Sequence, residues 1–330
     1  MSAKLPLTLA CGDYEIVRVL KEGTVKPDGI ELTVLTQMDS NTRHHRFLQG
    51  REFDVAEMSA CSYVIARGMG QAFTSLPVFL HRRFRHGSIY INTTKGIRSP
   101  KDLNGRTLGA KSWTTTAILW IRGILESEYG VDLRSITWLT DLDDHVKDFK
   151  PPKDFKVRRI PHDQSIESML VEGEVDALLH SDIIQPMLDG DARVARLFPD
   201  YRQEQVRYYQ KTGIFPIMHV LGILPEIVER HPWVPLNLMA AFNQAKAVAM
   251  RRMENPRIVP LVLFREAWEE QQEIFGPDPW EYGLGPRNVK NLETLVGYCH
   301  DQGLIPRKLG LDELFLNPTA GAKRDGIFRY

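Results

Sequence analysis

Six consecutive positions, His81-Arg82-Arg83-Phe84-Arg85-His86, carry two histidines and three arginines. Arginine forks grip carboxylates through paired hydrogen bonds, and histidine exchanges protons near neutral pH. The combination suits a small acidic substrate, although a solvated basic turn has the same composition. Other stretches hold groups of suitable types. Ser112-Trp113-Thr114-Thr115-Thr116 opens a helical pattern with hydroxyls, and the free N–H groups of a helix start attract anions. Plain N-capping uses the same residues. The apolar run ending at Leu179 presents His180-Ser181-Asp182. His219 interrupts the long apolar run Gly213 to Ile223, where a core histidine is the competing reading.

Elements must aim these groups. Leu5 to Ala10 reads as a strand, Gly12-Asp13 as a turn with Asp13 as helix cap, and Tyr14 to Lys21 as a helix. Strand Ile30 to Leu35, a helix through His44, Phe47 and Leu48, and strand Phe53 to Met58 follow, the last ending at Ser59 before another helix. Ser88 to Ile91, Arg106 to Ala110, Ile136 to Leu139, Val157 to Ile160 and Val175 to Leu179 are further strands, and Ala117 to Tyr129 is a long amphipathic helix. Asp141 to Asp154, charged and bearing Pro151-Pro152, reads as a surface loop. The C-terminal third is helical, over Val234 to Met253, Arg257 to Phe275 and Val289 to Gln302, and residues 318–330 read as a tail. Alternating strands and helices whose strand ends feed helix starts imply an α/β fold with a ligand site at those ends.

Composition excludes several classes. Lys+Arg and Asp+Glu are 42 each, so nothing favours nucleic acid as a partner. The three cysteines show no CxxC spacing and suggest neither a disulfide framework nor a zinc site. The first ten residues lack a signal-peptide core, and no stretch is long enough to span a membrane. The expectation is a cytoplasmic protein with a small-molecule ligand, and a homo-oligomer is compatible with it.

Four stretches, in order along the chain, carry a resemblance. They are Arg51-Glu52-Phe53-Asp54-Val55-Ala56-Glu57-Met58-Ser59, Phe84-Arg85-His86 with Ser88-Ile89-Tyr90-Ile91-Asn92, Gly213-Ile214-Phe215-Pro216-Ile217-Met218-His219-Val220, and Asp278-Pro279-Trp280-Glu281-Tyr282-Gly283. The chain resembles the 4,5-dihydroxyphthalate decarboxylases, on a type II periplasmic-binding-protein-like fold. That resemblance implies two α/β lobes with the ligand cleft between them. Lobe 1 would comprise residues 1–90 plus 220–330 and lobe 2 residues 93–212, with crossovers near 88–92 and 214–223. Two departures from the family, His180-Ser181-Asp182 and Thr140-Asp141-Leu142-Asp143, fall in the second lobe and bear on substrate identity.

The implied reaction turns 4,5-dihydroxyphthalate into protocatechuate and CO2, a step in phthalate degradation. Each carboxyl is para to a hydroxyl, so a phenolate pushes electron density onto the carbon that must be protonated, and no cofactor is required. The site needs an acid at the ring carbon, a base at the phenol and cations for the carboxylates. His86 is the first choice as proton donor and His219 the second, with Glu57 as acceptor of the phenolic proton. Arg82 and Arg85 are expected to hold carboxylates. Ser59, Thr114, Thr115, Thr116, His180 and Ser181 are further candidate ligands. His86, His180, His219 and Glu57 are also of the right types for a divalent metal, but no tight ligand spacing supports one. The alternatives are a non-catalytic solute-binding protein for a small aromatic or carboxylate ligand, which would carry a leader, and a thiamin-pyrimidine synthase, whose clustered cysteines are absent.

Overall fold

Strand β1 (Leu5–Ala10) starts the first sheet, and the computed structural model describes residues 3–317, so the expected tail lies outside the described residues. β1 pairs in parallel with β2 (Ile30–Leu35) along its whole length and with β3 (Val55–Ser59) on its other side. All five residues of β3 are buried, as expected of a central strand covered on both faces. β4 (Thr74–Leu76) closes the edge, and β11 (His219–Ile223) returns late in the chain to run antiparallel between β3 and β4. The order is β2-β1-β3-β11-β4.

The second sheet is built from the middle of the chain: β5 (Ile89–Asn92), β6 (Thr107–Ala110), β7 (Thr137–Thr140), β8 (Lys156–Arg159), β9 (Ala177–Leu179) and β10 (Val194–Arg196). Its order is β10-β5-β9-β6-β7-β8, parallel from β9 to β8 and antiparallel at β5 and β10. The helix Thr116–Tyr129 makes the crossover from β6 to β7, as parallel neighbours require. The chain leaves the first sheet through residues 77–88 and comes back through 197–218, so β5 is itself an inner strand of the second sheet.

Four expectations shift. The run from Gly213 to Ile223 is a strand only from His219. Pro216 has no N–H to donate, and Ile217 makes an isolated bridge to Arg82 instead. The helix expected from Arg257 begins at Phe264, beyond Pro260. Tyr14 rather than Asp13 occupies the cap position, and Asp13 accepts from Lys21 Nζ at 2.9 Å. The charged loop 141–154 is irregular, yet it turns His145 and Val146 inward, where both are buried. Among the described residues no helix is long and apolar enough to cross a membrane.

Candidate active site

Sheet register sets the central contact. On the β3/β11 pair Ser59 lies opposite His219 and Glu57 opposite Leu221, so Glu57 and His219 are diagonal neighbours. Long side chains bridge such a diagonal. Glu57 Oε1 lies 2.6 Å from His219 Nδ1. The same oxygen accepts from Tyr14 Oη at 2.8 Å, while Oε2 accepts from the Gly12 amide at 2.7 Å and from Arg43 Nη2 at 2.8 Å. Burial pushes the Glu57 carboxyl up, but His219, Arg43 and the Gly12 amide outweigh it and hold its pKa down at about 2. A permanent carboxylate at Nδ1 fixes the histidine ring and its tautomer. It also leaves Nε2 without a protein partner among the described residues.

His219 borders a cavity of about 90 Å³ between the two sheets. Larger hollows exist elsewhere, but this one gathers the reactive groups. Three helix starts converge on it: Ser40 and Asn41 of helix Ser40–Gly50, Ser59 before helix Ala60–Gly68, and Thr115 before helix Thr116–Tyr129. Their dipoles make the space favourable to anions, although the first amides of helix Ala60–Gly68 are already taken by the Met218 carbonyl, Thr116 Oγ1 and Ser59 Oγ. Its walls are tied across the sheets by Ser59 Oγ to Thr116 Oγ1 at 2.8 Å, His145 Nε2 to Asn41 Oδ1 at 2.6 Å, and Arg85 Nη1 to the Ser181 carbonyl at 2.7 Å.

Arg85 is the unusual cation. It is 3% exposed, and among the described residues no carboxylate pairs with it; its side chain meets the Ser181 carbonyl and the Met218 sulfur. Burial, with Arg83 nearby, lowers its pKa to about 9. A desolvated guanidinium without a counter-ion on a cavity wall favours an anionic ligand. Lys111 adds charge at the rim, where its Nζ is 3.5 Å from the exposed carboxylate of Asp182.

Three more histidines surround His219. His44 and His81 meet its ring edge to face at centroid distances of 4.8 and 4.7 Å, and His145 lies 5.5 Å from His44. Burial, then the proximity of His219, lowers the pKa of His81 to about 2 and holds His44 well below the ordinary range. Burial also lowers His145 to about 4. All three are therefore neutral at pH 7. Among the described residues no group of three or more His, Cys, Asp or Glu side chains is arranged to hold a metal ion.

The structure brings together His219, Arg85, Ser59, Thr115, Thr116 and Ser181 of the expected residues. Glu57 stands behind His219, fully buried with both oxygens engaged, so it has no access to a phenol. His86 is elsewhere. Its ring is boxed by Tyr129, Phe198 and Tyr208, and neither nitrogen has a partner among the described residues. Arg82 is committed to the Glu281 carbonyl and Asn288, and Thr114 to Asp144 at 2.8 and 2.9 Å. His180 caps its own turn through the Asp182 amide at 3.1 Å and does not border the cavity. Sequence reasoning missed His44, His145, Lys111, Tyr14 and Arg43. For His44 a signal existed, since it follows Ser40 by one helical turn on a face aimed at β3. For His145, in a charged irregular loop, none did.

No family model matches the chain. A protein named 4,5-dihydroxyphthalate decarboxylase from Comamonas testosteroni is 32% identical over 321 residues, covering 95% of this chain and 97% of that relative. A second protein of that name, from Pseudomonas putida, is 32% identical over 205 residues, covering 60% of this chain and 78% of the relative. Among solved structures, the periplasmic aliphatic sulphonate binding protein SsuA from Escherichia coli superposes with a TM-score of 0.55 at 13% identity, over 98% of this chain and 96% of its own. The alkanesulfonate-binding protein SsuA from Xanthomonas axonopodis pv. citri does so with a TM-score of 0.55 at 14% identity, over 96% of this chain and 99% of its own. The fold is thus the two-lobed type II periplasmic-binding-protein architecture anticipated above.

Proposed function

This chain belongs to the 4,5-dihydroxyphthalate decarboxylase family, a family of carboxy-lyases, and we propose that it converts 4,5-dihydroxyphthalate to protocatechuate and CO2 in the cavity beside His219. One observation carries the reading. A buried guanidinium without a carboxylate, Arg85, borders the same cavity as a histidine whose Nδ1 is bound to a carboxylate. The first feature suits an anion and the second suits a proton donor.

In this reading Arg85 and Lys111 hold the vicinal carboxylates, with help from the helix starts at Ser59 and Thr115. The phenol para to the leaving carboxylate gives up its proton, and the phenolate electrons move into the ring. The ring carbon bearing the carboxylate then takes the proton from His219 Nε2. The bond to the carboxylate breaks, its electron pair restores the aromatic ring, and CO2 leaves. The phenolic proton leaves to solvent before the walls close, because His81 and His145, kept neutral by burial, are too weakly basic to take it; His81 borders the space as a hydrogen-bond partner for the phenolic oxygen. The Glu57 carboxylate supports the imidazolium before the transfer and orients the ring throughout. A solute-binding protein has no need of this carboxylate–imidazole pair.

The lobe division belongs to the same proposal, with the expected break at residue 90 moved back because β5 lies in the second sheet: residues 3–76 with 219–317 against 89–196, closing on the substrate. Its support is that 90 Å³ is well below the roughly 300 Å³ typical of small-molecule sites, so a dihydroxylated benzene dicarboxylate enters only when the walls part. A cytoplasmic location completes the reading, and cell fractionation checks it. The functional test is turnover of 4,5-dihydroxyphthalate by wild-type and His219→Gln protein, following CO2 and protocatechuate. Wild-type turnover with a loss of about a hundredfold or more in the variant is expected. No wild-type turnover, or an unimpaired variant, refutes it.

A further inference from the structure

A second cavity, of about 280 Å³, lies beside the first, between residues 82–90 and the helix Tyr201–Thr212. Asp182 borders both spaces. Arg83 and Arg85 are two positions apart, yet Arg85 borders the site cavity and Arg83 this one. The walls are aromatic, with Phe84, Tyr90, Tyr201 and Phe215 contributing. Two guanidiniums enter without a carboxylate partner among the described residues. The exposed Arg83 side chain makes no hydrogen bond or ion pair among the described residues, and Arg196 gives its Nε to the Gly87 carbonyl at 3.0 Å and lies against the Tyr90 side chain. Arg196 also lies over the Tyr201 ring, 4.7 Å from its centroid. The Ser88, Tyr201 and Gln205 side chains border the space and likewise make no hydrogen bond among the described residues. The rim carboxylate, Asp182, is already engaged by Ser181 Oγ at 2.8 Å and Lys111 at 3.5 Å.

Backbone geometry favours this arrangement. A Cβ on Gly87 would come within 2.8 Å of the Tyr201 ring, so only glycine lets that ring lie against the 86–88 turn as a cavity wall. The volume approaches the lower end of small-molecule sites, about 300 Å³. Flat aromatic walls, two uncompensated guanidiniums and several free hydroxyl or amide groups match one ligand chemistry: a planar ring with a carboxylate at one edge and hydroxyls at another.

We propose that this cavity is a second binding site for a hydroxylated aromatic carboxylate, separate from the catalytic cavity and sharing only the Asp182 rim with it. The proposal rests on the decarboxylase reading for the ligand class. Two sources supply that chemistry, substrate on its way in and product on its way out.

Calorimetric titration decides. Protocatechuate is titrated into wild-type protein, and 4,5-dihydroxyphthalate into the His219→Gln protein, which does not consume it. Two equivalents per chain are expected for at least one ligand, and the ligand that shows them identifies the source. Arg83→Ala/Arg196→Ala should retain a single equivalent, with kcat on saturating substrate within about twofold of wild type, and Gly87→Ala should lose the second equivalent independently. One equivalent or none for both ligands, or two persisting in the double variant, overturns the second site. Failure of the decarboxylase reading looks different. There the double variant, folded by its melting temperature, loses turnover about a hundredfold or more while His219→Gln keeps it.

Discussion

Replacing Glu57 by glutamine keeps the side-chain shape, removes one negative charge and turns one acceptor oxygen into a two-hydrogen donor. The structure makes that change severe. Each carboxylate oxygen accepts from two donors, His219 and Tyr14 on one and Gly12 and Arg43 on the other. Whichever way the amide turns, its NH₂ faces two donors. Arg43, 2% exposed, also loses its ion-pair partner. Breaking one side of a buried pair costs about 3–5 kcal/mol, a large share of the 5–15 kcal/mol that typically holds a domain together. The imidazolium of His219 loses its counter-charge as well, so kcat should fall by about a hundredfold or more. KM should change little, because Glu57 does not border the cavity. Because the single variant is so strained, Glu57→Gln/Arg43→Met is the companion. It removes the orphaned charge and should recover much of the melting temperature without recovering turnover. Calorimetry and initial rates on both proteins check this. A folded variant with wild-type kcat would show that the carboxylate–imidazole pair has no part in the proton transfer.

Arg85→Lys keeps a charge but loses the fork, and Arg85→Ala loses both. The alanine variant should lower kcat/KM by an amount equivalent to about 2–5 kcal/mol, with lysine recovering only part, and equal kcat/KM in all three proteins would remove Arg85 from the site. His86→Phe should keep kcat within about twofold and leave the melting temperature equal or higher. It replaces two unpartnered buried nitrogens inside an aromatic box, each unsatisfied group costing about 1–3 kcal/mol; a folded variant that has lost turnover would restore His86 as the acid. Acid should destabilise the fold from near pH 6.5 downward. Burial lowers His86 and His145 from 6.5 to about 4 and His81 to about 2, so over that window the unfolded chain binds more protons. Stability is therefore full above pH 6.5 and lost as pH falls toward the folded values, at about 1.4 kcal/mol per pH unit for each group. Melting temperatures flat from pH 8 to 5 would contradict the buried neutral state of these rings.

Local pattern carried much of the fold. The strands at Leu5, Ile30 and Val55 and the helix Val234–Met253 lie where apolar periodicity puts them, because each buries a continuous face. Backbone chemistry set the misses. Pro216 cut short the strand read from Gly213, and Pro260 delayed the helix read from Arg257. The site was less legible because cavities are assembled at long range. His86 and His219 looked equivalent as histidines beside crossing segments, and only the packing of Tyr129, Phe198 and Tyr208 around one and the approach of Glu57 to the other separates them. Arg82 and Arg85 differ in the same way. Asn288 and the Glu281 carbonyl, two hundred residues on, claim the first, while the second gives one nitrogen to the Ser181 carbonyl and one to the Met218 sulfur and still borders the cavity. Charge pattern hid His145, since a loop rich in lysine and aspartate does not announce a buried imidazole.

The scaffold also suggests how anion binding becomes decarboxylation. Helix starts and an unpaired guanidinium stabilise a carboxylate, and they do so in the ground state as much as on the way to reaction. Such uniform binding gives affinity without rate. What a decarboxylase needs in addition is a proton placed at one ring carbon, and a group that stays charged until the proton moves. Glu57 meets the second need. One sheet neighbour, one tyrosine hydroxyl, one turn amide and one helix arginine surround it inside the protein, and His219 stands between it and the ligand space. The neutral rings of His44 and His81 exclude water from the imidazole edges without competing for its proton, because burial makes them poor bases. The added chemistry is therefore confined to the strand pair β3–β11 and its lining, while the anion-holding helix starts belong to both lobes. The fold itself is shared with sulphonate-binding proteins at 13–14% identity, and in the proposed mechanism the diagonal contact of Glu57 with His219 on one sheet is what would supply the acid.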